Sequence, residues 1–207
     1  MFISILLIGV FSALSIYHFL VFLGRRKDFS NVAYSGLCLL FILNLYLTRI
    51  YTPSEHFNAI VDYFFGGLIP VYSGACIAII CMSLFDLQGI NKIISLYFKI
   101  ILPAGNLLLL SFLIWNHLLF ILIINGLLGI FDIIFIIKFI IHIKKTKQYT
   151  TPIQKILFTG LLIWLIIIGI RQFSIVFNIP EHLTVFTVEF AYLFLTITIA
   201  FALTYKF

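Results

Sequence analysis

The sequence predicts an all-α integral membrane protein, a bundle of seven transmembrane helices with the N-terminus outside and the C-terminus in the cytoplasm. The first observation is composition: the 207 residues are 63% hydrophobic and only 10% charged, with a mean hydropathy of +1.22. A soluble domain of this composition would have too few polar residues to cover its surface. The second observation is a series of long apolar runs, and the third is the one-sided placement of the lysines.

Seven apolar runs are each close to the roughly 20 residues that a helix needs to cross the hydrocarbon core. The first run is too long for a signal-peptide core, so we expect it to be a retained helix. Residues 87–102 are compatible with an interfacial helix that begins before Pro103. We therefore predict one domain over 1–207, with spans at about 2–24, 31–52, 58–86, 95–115, 118–143, 153–177 and 182–206.

The basic residues of the predicted connections lie on one side of the membrane. They are Arg25, Arg26, Lys27, Lys92, Lys99, Lys144, Lys145, Lys147, Lys155 and Lys206. The opposite side has no lysine, and its two arginines lie within spans. Because cytoplasmic loops carry the excess of Lys and Arg, the basic side is predicted to be cytoplasmic. The formal net charge of +6 then orients the helices and requires no nucleic-acid partner.

Two distant segments, "YTPSEHFNAIVDYFF" and "NIPEHLTVFTVEFAYLF", share one polar order. An arginine lies shortly before each segment, and within the segment a proline, a Glu-His pair and an acid follow in that order. The residues are Arg49, followed by Pro53, Glu55, His56 and Asp62, and Arg171, followed by Pro180, Glu181, His182 and Glu189. The shared order predicts a 3+1+3 internal repeat, in which spans 1–3 and 5–7 are related units on either side of span 4.

Charged groups within the spans are the candidate ligand-binding residues, because a buried charge needs a partner or a water-filled cavity. At about 1.5 Å per residue, Arg49 and Asp62 lie roughly 6 Å below the outer surface and Arg171 and Glu189 roughly 13 Å below it. One interpretation is a pair of structural ion pairs; the other is an outward-facing ligand pocket. The pocket would comprise Arg49, Asp62, Arg171, Glu189, His56 and His182.

Two other polar residues lie within predicted spans. Asp132 is near mid-membrane in span five, and Asn44 or Asn106 on a neighbouring helix would be its partner. His18 lies toward the cytoplasmic side. No metal site or cofactor is predicted, because the cysteines lack metal-ligand spacing. No enzyme is predicted either, because the chain has no nucleophile elbow, phosphate loop or zinc-protease motif.

The first hundred residues carry a family resemblance. The stretch "GVFSALSIYHFLVFLGRRKDFSNVAYSGLCLLFILNLYLTRIYTPSEHF" resembles the start of the bacterial seven-transmembrane receptors with diverse intracellular signalling modules. The matching positions are Tyr17, His18, Arg25 to Asp28, Gly36 and Arg49. The segment "CMSLFDLQGINKIISLYFKI" is similar to the family's exit from the third span.

The resemblance implies a signal-sensing module in a bacterial inner (plasma) membrane. It would couple an outer-half ligand to a cytoplasmic signalling domain or protein, which this sequence does not contain. Expected partners are the lipid bilayer, an unknown small-molecule ligand and that output component, and a homodimer is compatible with the class. The alternative is a small transporter or channel with Asp132 in its pathway. A membrane enzyme acting on lipid is a third class, less favoured because the polar groups are scattered.

Overall fold

A computed structural model describes residues 2–26, 28–47, 67–85, 91–115, 118–146, 152–174 and 181–205. Within these ranges the chain forms seven helices and no strands, which confirms the all-α class. The helices are α1 (Phe2–Gly24), α2 (Phe29–Leu45), α3 (Ile69–Leu84), α4 (Asn91–Trp115), α5 (Leu118–Thr146), α6 (Pro152–Ser174) and α7 (Glu181–Tyr205).

Two of these helices are long and apolar enough to cross a membrane by length and composition. They are α1, over Ile3–Gly24, and α4, over Asn91–Trp115. The other helices contribute apolar stretches of 10–17 residues within the described part of the chain. Two such helices are weak evidence of membrane association, and the arrangement of all seven helices as spans stays a prediction.

The connection between α1 and α2 is fixed by an N-cap. Asp28 Oδ1 accepts hydrogen bonds from the backbone N–H of Ser30 at 3.1 Å and from the Ser30 hydroxyl. Ser83, near the end of α3, donates its hydroxyl to the same oxygen at 3.4 Å. A cap of this kind stabilises a helix by about 1 kcal/mol. Here it also holds the start of α2 against the end of α3.

Helix α4 contains a π-helical segment over Tyr97–Ile101, where the N–H of Leu102 donates to the carbonyl of Tyr97. Pro103 accounts for it, because proline has no N–H for the carbonyl of Lys99 and its ring crowds the preceding turn. The helix already begins at Asn91, whereas the sequence predicted a span from about 95. Lys92 and Lys99 therefore belong to one continuous helix.

Contacts between helices establish their relative directions. Ser15 on α1 meets Ser35 on α2, with hydroxyl oxygens 2.9 Å apart, and His18 meets Asn31, so these helices are antiparallel. Helices α1 and α7 are parallel: Ser4 contacts Glu189 near their starts, and Tyr17 lines one cavity with Thr204 near their ends. A first and a seventh span must run in the same direction, so the observed directions agree with seven crossings.

The interior is divided into two apolar clusters. The larger one contains buried residues from all seven helices, and its most completely buried side chains include Phe11, Leu37 and Leu195. The smaller one joins α3, α4 and α5 through Tyr97, Leu109, Ile124 and neighbouring residues. Tyr97 donates its hydroxyl to the carbonyl of Val71, which ties α4 to α3.

Glycine permits a close approach between α6 and α7. A methyl group built on Gly160 would lie 2.6–2.9 Å from side-chain atoms of Thr198. A Cβ atom built on Gly74 of α3 would similarly lie 2.6 Å from the hydroxyl oxygen of Tyr97 on α4. Small residues at such positions are the usual means by which membrane helices pack closely.

The close approach at Gly160 generates a stability prediction. Gly160→Val is expected to lower the free energy of unfolding by about 1–3 kcal/mol, because the added side chain overlaps Thr198. Unfolding in detergent can be followed with a fluorogenic maleimide, since Cys38 and Cys81 are buried and all three cysteines are free thiols. The Tm should fall by about 2–4 °C for each kcal/mol.

The matched control is Gly126→Val on α5, where an added Cβ meets nothing within 4 Å. It introduces the same β-branched residue into a helix without a clash. Equal Tm values for the two variants would contradict close packing of α6 on α7.

Candidate functional site

A line of buried polar side chains runs between α1, α2 and α7, and we call it the polar seam. Its members are all buried and make hydrogen bonds from one of these helices to another. They are Ser4, Ser15, His18, Asn31, Tyr34, Ser35, Asn44, Glu189, Tyr192 and Thr196. Because the surroundings are apolar, each inter-helix hydrogen bond also constrains how the helices are placed relative to one another.

The seam begins at the end predicted to face outwards. Ser4 Oγ on α1 donates to Glu189 Oε1 on α7, at 3.4 Å. The carboxyl-bearing side chain of Glu189 is only 7% exposed. A buried carboxylate requires polar partners, so this contact links the first turn of α1 to the one seam residue that can carry a negative charge.

The next contact joins α2 to α7. Asn44 Nδ2 donates to the Tyr192 hydroxyl at 2.7 Å. The ring of Tyr192 also stacks on Phe41, with centroids 4.1 Å apart and planes inclined by 13°. A hydrogen bond and a stacking contact therefore act on the same tyrosine, and together they fix the rotation of α7 relative to α2.

Tyr34 lies farther along the seam and is fully buried. Its hydroxyl donates to the backbone carbonyl of Thr196 at 2.8 Å. The Thr196 hydroxyl in turn donates to the carbonyl of Tyr192, one turn earlier on α7, at 2.6 Å. The phenol of Tyr34 thus reaches the main chain of α7, so an axial shift of α7 would break this bond whatever the side chain at 196.

The inner end of the seam is built from His18 and Asn31. The His18 Nδ1 and Asn31 Oδ1 atoms are 2.8 Å apart, and the His18 ring packs edge-on against Tyr34 with centroids 4.4 Å apart. In the tautomer protonated at Nδ1, His18 donates to the amide oxygen and keeps Nε2 as an acceptor. Within the described ranges, the buried amide nitrogen of Asn31 has no hydrogen-bond partner.

A cavity of about 330 Å³ adjoins this inner end. It lies where α1 and α7 end and α2 begins. Its lining residues combine a histidine, an amide, an arginine and a hydroxyl with apolar neighbours, and none of those described is acidic. They are Tyr17, His18, Val21, Gly24, Arg25, Asn31, Leu203 and Thr204.

Two of the site residues predicted from sequence belong to the seam. Glu189 stands at its outer end and His18 at its inner end, so the structure places both between the same helices but does not bring them together. Arg49, His56 and Asp62 lie outside the described residues, and so do the side chains of Arg171, His182 and Asp132. The predicted ligand-binding set and the Arg171–Glu189 pair therefore stay predictions.

Asn44 and Asn106, the partners suggested for Asp132, both make hydrogen bonds to other residues, and a contact of either with Asp132, whose side chain lies outside the described residues, stays a prediction. Asn44 bonds Tyr192, as described above, and Asn106 donates to the Leu102 carbonyl at 2.9 Å while accepting from Tyr72 at 3.0 Å. Among the side chains that the structure describes, no group of three or more His, Cys, Asp or Glu could hold a metal ion.

Most seam residues are uncharged, so the search for charged groups within the predicted spans did not identify them. Their signal is periodic: Tyr34 and Ser35 lie three and four residues after Asn31 on α2, and Glu189, Tyr192 and Thr196 are spaced by three and four residues on α7. A stripe with spacings of three and four residues marks one helix face. Searching each apolar run for polar residues at that spacing would have identified these two faces.

The Asn44–Tyr192 bond generates a double-mutant prediction. The effects of Asn44→Leu and Tyr192→Phe on unfolding free energy should not add, and their interaction energy should be about 0.6 kcal/mol and at most about 1.7 kcal/mol, as for other membrane helices. Pairing Asn44→Leu with Tyr72→Phe, whose hydroxyl bonds Asn106, should give additive effects. Additivity in both pairs would contradict the bond.

Comparisons of this chain with protein-family models, with curated proteins and with solved structures found no match. What the chain does is therefore inferred from its own residues and their contacts.

Proposed function

We propose that this chain is the transmembrane signal-sensing module of a bacterial receptor, with seven helices that all cross the inner membrane. In this proposal, a ligand or stimulus in the outer half changes the position of α7, which passes the change to a cytoplasmic output domain or partner. The observation that carries the proposal is the polar seam, because it joins the first two helices to the last along much of their length.

The surface supports seven crossings. Every one of the seven helices exposes at least two large apolar side chains. Examples are Ile16 and Leu20, Phe29 and Leu39, Tyr72 and Met82, Leu107 and Ile114, Ile130 and Ile137, Ile156 and Ile166, and Phe190 and Ile197. In water, apolar patches spread over the whole molecule would cause aggregation, whereas hydrocarbon solvates them. The parallel directions of α1 and α7 support the same topology.

The seam is suited to a transition between discrete arrangements. Sliding or rotating α7 would break the bonds of Tyr192 and Tyr34 at nearly the same time, and buried polar groups cannot be left unpaired without cost. Intermediate positions are therefore disfavoured relative to positions that restore a full set of bonds. A ligand biases such an equilibrium only by the difference in its affinity for the two states.

The family resemblance supports the same function. Three of its matching positions, Tyr17, His18 and Arg25, line the cavity at the inner end of the seam, and Asp28 caps α2 beside it. The resemblance in α1 thus falls on residues that hold α1 against α2 near the cytoplasmic end. That is the end at which a sensing module would meet its output component.

Coupling along the seam can be measured with two spin labels at its inner end. Leu20→Cys on α1 and Thr204→Cys on α7 place labels at exposed positions, in lipid nanodiscs. Adding Asn44→Leu and Tyr192→Phe, which cut the seam farther out, should shift the distance distribution by about 1–2 Å, the scale of helix shifts in switching proteins.

The matched control is Tyr72→Phe, which cuts a bond between α3 and α4 outside the seam. An unchanged α1–α7 distribution in the Asn44→Leu/Tyr192→Phe protein would contradict coupling through the seam. An ion flux in liposomes that is lost in Asp132→Asn would contradict the sensor proposal in favour of transport.

The outer ligand pocket is tested separately, by thermal stabilisation with a library of small polar compounds. Any compound that stabilises the wild type should stabilise Arg49→Ala and Arg171→Ala at least tenfold less potently, since each change removes a proposed charge partner worth more than about 1.4 kcal/mol. Lys145→Ala, a charge change on the basic side, is the control. Equal stabilisation of all four proteins would rule out this pocket.

A further inference from the structure

An open groove of about 950 Å³ lies between the end of α1, the start of α2 and the end of α3. It is on the basic side of the chain, opposite the proposed outer ligand pocket. Arg25 and Arg26 line it together with Asp28, and Leu23, Phe29 and Met82 supply apolar walls. It is separate from the cavity beside His18, although Arg25 and Gly24 line both.

The charge of the groove favours an anion. Its described lining residues include two arginines and one aspartate, and both arginines are exposed. Oδ1 of Asp28 accepts hydrogen bonds from Ser30 at the start of α2 and from Ser83 near the end of α3. The two guanidinium groups, which bind phosphate oxygens in a bidentate manner, give the described lining of the groove a net positive charge.

The apolar walls favour an amphiphile over a water-soluble anion. Phe29 is 63% exposed and Met82 40% exposed. On α1 the wall continues as a stripe of Leu23, Leu20 and Ile16, which are 46%, 59% and 62% exposed and spaced three and four residues apart. The stripe extends the groove by about 10 Å along the helix. A free phosphate would contact none of this surface, whereas a hydrocarbon chain would follow it.

We propose that this groove binds an anionic glycerophospholipid of the cytoplasmic leaflet. Its phosphate lies at Arg25 and Arg26, and one acyl chain follows the Leu23–Leu20–Ile16 stripe. Basic residues at the cytoplasmic end of membrane helices attract anionic headgroups, and a groove between three helix ends converts that attraction into a defined site.

The proposal is tested by native mass spectrometry of the full chain, titrated with phosphatidylglycerol and with phosphatidylcholine of the same acyl chains. Phosphatidylglycerol should bind the wild type more tightly. Replacing both Arg25 and Arg26 by Gln should weaken its binding about 25-fold, at about fivefold for each basic residue near an anionic headgroup, and leave phosphatidylcholine unchanged. Lys145→Gln removes a charge from the same side outside the groove and should have little effect.

A second variant, Met82→Trp, fills the groove without changing its charge, and it should also weaken phosphatidylglycerol binding. Equal affinity of the wild type for the two lipids would overturn the proposal, and that comparison needs no variant. If replacing the two arginines weakened phosphatidylglycerol binding and Met82→Trp did not, the proposal would also be overturned, because attraction to surface charge would then be sufficient to explain the binding. The proposal would likewise be overturned if inorganic phosphate competed as potently as phosphatidylglycerol, or if a second protein chain occupied the groove in place of lipid.

Discussion

A polar side chain buried between apolar helices is stable only when another helix supplies its hydrogen-bond partner, and this requirement organises the structure. Asn44, Tyr34 and His18 each meet a partner across a helix boundary, at 2.7–2.8 Å. Apolar packing alone tolerates rotation and sliding, because one leucine replaces another at little cost. The polar contacts do not tolerate such movements, so they select one arrangement of α1, α2 and α7 from the many that the leucines and isoleucines would allow.

The rest of the bundle is held in a different way. Helices α3, α4 and α5 share an apolar cluster whose described inter-helix hydrogen bonds include those from Tyr97 and Tyr72. Their fit depends on shape: Gly74 makes room for the Tyr97 ring, and the π-helical segment before Pro103 adjusts the face that α4 presents. The chain thus combines a part specified mainly by packing with a part specified by hydrogen bonds between helices.

The sequence predicted the all-α class because composition and run length follow directly from the solvent that a chain must satisfy. It did not predict the seam, because hydropathy says nothing about which helices are neighbours. The face of α7 with Glu189, Tyr192 and Thr196 can be read from spacing, but its partners on α2 lie about 150 residues earlier, and only the fold brings them together. Arg49, His56 and Asp62, within 48–66, and the side chains of Arg171 and His182 lie outside the described residues. The predicted ligand pocket therefore still depends on sequence order alone.

Glu189 connects the predicted ligand pocket to the polar seam, since it belongs to both. A ligand that displaces Ser4 from its carboxylate would act directly on the contact between α1 and α7. At the other end, Arg25 lines both the proposed lipid groove and the cavity beside His18 and Asn31. A headgroup that engages Arg25 would therefore bind next to a cavity lined by the same three helices, at the basic end of the seam. Because equilibrium coupling is reciprocal, a seam that transmits ligand binding inwards must also transmit lipid binding outwards.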